Sequence, residues 1–200
     1  MKRLLVVAMI PAALILAGCS ATHSVGDSTH AGMASAMPPA SHDMPHSSDF
    51  DAADVMFAQM MIPHHEQAVE MSTLAETRAT DPLIVALAAQ IKAAQGPEID
   101  VMTAWLQSWG SPVMDQDEAM GMGHGMQGIL SDTQLAELKA ASGSEFDRLF
   151  ATYMIAHHEG AIDMAKQVED SANAEVAALA KNIIASQTVE IDQLKAFLAK

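Results

Sequence analysis

"FAQMMIPHHEQAVEM", Phe57 to Met71, decides the reading of the fold, because the chain contains it twice. The second copy is "FATYMIAHHEGAIDM", Phe150 to Met164, and nine of the fifteen aligned positions are identical. Steps of four, three, four and three residues follow one face of an α-helix. From Phe57 that walk visits Met61, His64, Ala68 and Met71; from Phe150 it visits Met154, His157, Ala161 and Met164. Both copies thus carry one stripe, Phe-Met-His-Ala-Met, and such a stripe is expected to face a core.

The match extends beyond the histidines. "QGPEIDVMTAWL", Gln95 to Leu106, aligns with "QTVEIDQLKAFL", Gln187 to Leu198, at an offset one residue shorter than that of the first block. The unit repeated is therefore a helical hairpin, and two hairpins burying their apolar faces together predict an all-α four-helix bundle. The first helix is expected from roughly Phe50 to Arg78, with Ser48 or Asp49 as its cap, and the second from Pro82 to about Trp109, stopped by Gly110. The third is expected over Ser144 to Glu169 and the fourth from Ala174 to the C-terminus. "SDTQ", Ser131 to Gln134, reads as a capping box opening a short helix before the third. The domain then spans residues 50–200: repeat 1 over 50–109, a linker over 110–143 and repeat 2 over 144–200. Pro63 and Pro97 fall inside helical patterns, opposite Ala156 and Val189, so any kink belongs to the first hairpin alone.

Ahead of the domain, Lys2 and Arg3 precede an apolar run from Leu4 to Leu16, the layout of a signal peptide over residues 1–18. "LAGC" places the sole cysteine, Cys19, where a bacterial lipobox would be cut and lipidated. Residues 19–49 read as a His- and Met-containing flexible tether. The expected location is the bacterial cell envelope, facing the periplasm or cell surface, with the membrane touched through the lipid anchor only. Losing Lys2 and Arg3 moves the formal charge from -15 to -17, which repels nucleic acid and suits cations. A lipidated cysteine leaves soft-metal chemistry to methionine sulfur.

Two helices related by a pseudo-twofold axis could bring Met61, His64, Met154 and His157 around one point. Imidazole and thioether, without carboxylate or thiolate, favour Cu(I), with Ag(I) a second soft cation of the same class. His65 and His158 lie about 100° further round and could each pair with the methionine four residues earlier, giving separate sites. Glu66 and Glu159 are expected to support ligands or face solvent. "MGMGHGM" is read as a loop whose glycines deny it a good helix, leaving Met120, Met122, His124 and Met126 without a core to fill and free to catch soft cations. Because only neutral imidazole coordinates, metal binding is expected to weaken below about pH 6.

"MIPHHEQAVEM" and "MIAHHEGAIDM" resemble the signature of the domain of unknown function 305 family. The resemblance spans Phe50 to Lys200 and implies a ferritin-like four-helix fold, export and, for some members, copper binding and copper tolerance. Carried residue by residue it points to His64, His65, Met71, His157, His158 and Met164 as metal residues; Ala156 departs from the proline of the first copy. Di-iron chemistry is not expected, since no Glu-x-x-His occurs, nor is zinc protease chemistry, since Val69 and Ile162 stand where a second histidine would be needed. The sequence therefore reads as a non-enzymatic lipoprotein sequestering Cu(I), against a metal-free envelope interaction or structural module, or a copper chaperone whose protein partner is unknown.

Overall fold

The computed structural model describes residues 50–121 and 126–200. The signal peptide, Cys19, the tether, Met122 and His124 lie outside the described residues. Six helices follow in order: α1 (Ala52–Arg78), α2 (Pro82–Ser108), α3 (Gln116–Gly121), α4 (Asp132–Ala140), α5 (Gly143–Ala165) and α6 (Ala174–Leu198). No strand occurs among the described residues, and none of their helices is long and apolar enough to cross a membrane.

The helix ends follow local chemistry. Asp51, not Ser48 or Asp49, caps α1: its carboxylate accepts from the Ala53 and Asp54 amides, while Asp54 accepts from the Asp51 amide. Asp81 caps α2 one residue before Pro82, whose missing N–H costs nothing in a first turn. Ser131 and Gln134 form the capping box of α4. α5 stops at Ala165, short of the expected Glu169, because the chain tightens into turns in which the Gln167 and Val168 amides bond to the Met164 and Ala165 carbonyls. Those turns put Val168 into the core. Pro63 and Pro97 sit within uninterrupted α1 and α2.

α1–α2 and α5–α6 are the two hairpins, joined mainly where α1 packs on α5. Their register shows in the core. Ala68, Met71 and Ala75 of α1 pack with Phe146, Phe150 and Met154 of α5, while Phe57, Ala58 and Met61 pack with Ala161 and Ala165. The helices are thus antiparallel and cross at the level of His64 and His157. α2 and α6 repeat the division, Ile84 to Ile91 meeting Leu194 in one cluster and Met102 and Leu106 meeting Val176, Ala180 and Ile183 in the other. Two apolar clusters therefore lie either side of a polar waist containing four histidines, Gln67, Gln95, Gln187 and Glu190, all buried. Asp147 of α5, also buried, pins the α1–α2 turn by accepting from the Thr80 amide and hydroxyl and the Asp81 amide at 2.8–3.0 Å.

Candidate metal centre

The waist is assembled by duplication. His64 and His157, equivalent positions on α1 and α5, meet across the pseudo-axis with ring centroids 3.8 Å apart and planes inclined by 43°. Both rings are fully buried. The His64 Nε2–H donates to the Gln127 carbonyl at 3.3 Å, which leaves Nδ1 as a lone-pair nitrogen. Neither nitrogen of His157 has a hydrogen-bond partner. The second histidine of each pair reaches the other helix of its own hairpin. His65 Nε2 lies 2.8 Å from Glu98 Oε2, and His158 Nε2 lies 2.7 Å from Glu190 Oε2. Each carboxylate fixes a ring with Nε2–H toward the oxygen and Nδ1 unpartnered.

Burial sets the protonation state. Desolvation, reinforced by the neighbouring His65, lowers the His64 pKa from 6.5 to about 3. Desolvation, with His64 next to it, holds His157 well below the ordinary imidazole value. Both rings are therefore neutral through the physiological range. Burial thus favours the neutral form of these two rings even below the ordinary imidazole range.

The linker closes the site. Met126 to Leu130 forms a strap across α1 and α5, held by different means at the two equivalent positions Gln67 and Gly160. Gln67 grips the Leu130 backbone twice, Nε2 to the carbonyl at 3.1 Å and Oε1 from the amide at 2.7 Å. On α5 a missing side chain does the work. A Cβ on Gly160 would sit 1.7 Å from the Gln127 carbonyl oxygen, so glycine alone lets the strap rest on the helix. A Cβ on Gly128, whose φ is +85°, would lie 2.3 Å from the Ala156 carbonyl oxygen.

The other expected site residues are dispersed. Met61 lies in one apolar cluster while Met154 and Met71 lie in the other, so the two stripe methionines flank the histidine pair from opposite sides. Met164 is half-buried beside Met60. Among the described residues no three His, Cys, Asp or Glu side chains are disposed to hold one ion together. Two expectations change. Met126 is buried against Met60 and Ala119, because the strap folds it inward, and Met120 belongs to α3. Glu66 is exposed and Glu159 faces Lys195 at the surface, the solvent-facing alternative expected of both, and the carboxylates that reach the rings are Glu98 and Glu190. Their signal was present in "EID", identical in both copies, but using it required the hairpin register.

A sequence profile of the domain of unknown function DUF305 matches residues 54–198. The chain belongs to the DUF305 family. No curated protein matches it. Among solved structures, a DUF305 protein from Streptomyces coelicolor described as secreted is 33% identical, covering 74% of this chain and 92% of that one, with a TM-score of 0.67. A DUF305 fragment from Deinococcus radiodurans is 29% identical over 74% of this chain and 97% of that one, at 0.65. CopM in its Cu(I)-bound form is 34% identical over 72% of this chain and 94% of CopM, at 0.61, and CopM is also solved with Cu(II) and with Ag bound. The DUF305 bundle is thus a helical scaffold on which one relative carries copper and silver.

Proposed function

We propose that this DUF305 chain is an exported lipoprotein, anchored through Cys19, that sequesters Cu(I) and Ag(I) and so contributes to copper tolerance, acting as a binder and not an enzyme. The carrying observation is the His64–His157 pair: two fully buried neutral imidazoles in contact, with three of their four ring nitrogens unpartnered. Buried polar atoms are normally satisfied, so a concentration of free lone pairs at one level of a core suits an electrophilic guest. Thioethers above and below and the absence of an inner carboxylate or thiolate favour a soft cation. CopM, which binds Cu(I), Cu(II) and Ag, supports the same chemistry.

One observation favours a metal-free structural core. His64, His65 and His158 each already have one hydrogen-bond partner. Competition with a chromophoric Cu(I) chelator separates the readings. The copper reading expects at least one tightly held ion, lost in His64→Ala/His157→Ala, and a rise in melting temperature on adding Cu(I). Full affinity in the double variant would refute the histidine-pair site, and an unmoved melting temperature would favour the structural core.

A further inference from the structure

Five of the eleven methionines between residues 50 and 200 converge outside the histidine waist. Met60 and Met126 are buried together, with Met114 and Met164 packed against them. Met56, Met60 and Met164 also line an open basin of about 400 Å³ between α1 and α5, with Asp163 at its rim. These sulfurs come from three separate stretches: α1, the connection after α2, and α5. Methionine is an adaptable filler of irregular cores, and the junction of a loop with two helices is such a place. Filling does not account for Met56 and Met164, which border an accessible cavity and are only partly covered.

The position of the basin gives it a use. His64 and His157 have no solvent exposure, so an ion must cross some wall to reach them. Gln127 and Gly160 line the basin, and the Gln127 carbonyl is the group bonded to His64 on the inner side. Gln127 thus borders the thioether-lined surface cavity and touches a buried imidazole. Its hydrogen bond to His64, at 3.3 Å, is a long one.

We propose that the basin of Met56, Met60 and Met164, backed by Met114 and Met126, is a second soft-cation site that takes Cu(I) or Ag(I) from solvent and passes it beneath Gln127 to the histidine pair. Thioethers are neutral and bind monovalent soft ions while discriminating against hard divalent ones. Asp163 and the acidic chain supply the attraction for cations. The capture step stands by itself; the transfer step rests on the histidine-pair reading above.

The test uses the purified chain with [13C-methyl]methionine and Ag(I), a redox-inert probe. The first equivalents should move the methyl resonances of Met60, Met126 and Met164, and His64→Ala/His157→Ala should keep that response while losing an ion. Met60→Leu/Met126→Leu/Met164→Leu should bind one ion fewer and load the histidine site at least tenfold more slowly, with equilibrium affinity there within twofold. The more exposed pair Met56→Leu/Met164→Leu should show the same direction and is the check if the triple variant folds poorly. Unmoved methyl resonances, or a full ion count in both leucine variants, would overturn the capture site. A lost ion with unchanged loading rate would overturn the transfer step. Neither result bears on the histidine pair, which its own double variant tests.

Discussion

Replacing Gly160 by alanine is the sharpest perturbation the geometry offers, because its sign depends on the strap. In an unobstructed helix interior this change gains about 1 kcal/mol. Here the new Cβ would lie 1.7 Å from the Gln127 oxygen and 2.5 Å from its carbonyl carbon, against the roughly 3.5 Å of ordinary carbon contacts. The strap has to withdraw by roughly 1–2 Å, the difference between those contacts. Such overpacking costs about 1–3 kcal/mol. The Gln127–His64 hydrogen bond, already 3.3 Å, breaks as well and removes about 0.5–1.5 kcal/mol. After subtracting the helical gain, the expected loss is about 1–3 kcal/mol. Urea unfolding followed by circular dichroism reads it as a lower midpoint at constant slope, alongside a drop in melting temperature of roughly 2–4 °C per kcal/mol. A variant as stable as the parent, or more stable, would mean that the strap does not lie on α5 as described.

Three further outcomes are expected. Between pH 6.5 and about 3 the unfolded apo chain carries a proton on His64 that the folded chain refuses, so its contribution is intact above pH 6.5 and is lost at up to about 1.4 kcal/mol per unit as pH falls; His64→Leu should flatten the stability–pH curve over that interval. Asp147→Ala removes the buried acceptor of three part-buried hydrogen bonds from the Thr80–Asp81 turn and should destabilise by about 1–3 kcal/mol in thermal unfolding. Gln67→Leu strands the Leu130 amide and carbonyl; hydrogen exchange at Leu130 should accelerate at least tenfold while amides in mid-α6 keep their protection.

Much of this architecture was legible because it is local and doubled. The helical period of the Phe57 and Phe150 stripes identified the faces that pack, and the repeated EID blocks identified the unit as a hairpin. The meeting of His64 with His157 followed once two copies of one stripe had to face each other. What escaped the reading depends on contacts between distant segments. Nothing near Met126 announces that a glycine-rich connection folds back over α5, since the reason lies at Gly160, thirty-odd residues away, in the absence of a side chain. The divergence of Gln67 from Gly160 looks like drift in an alignment, yet both residues hold the same strap. Glu98 and Glu190 were overlooked because a carboxylate in an amphipathic helix is ordinarily solvated, and only the hairpin register brings each to a ring.

The polar waist has a consequence for how long a molecule survives. A layer of unanswered lone pairs through the middle of a core makes the empty bundle easier to open than its two oily halves would suggest. A guest that binds only the closed form reduces the open fraction in proportion to its own concentration. Degradation that follows the opened population would then remove vacant copies and spare those carrying metal. The amount of protein on hand would rise and fall with the supply of its cargo, with no sensor needed beyond the packing of four rings.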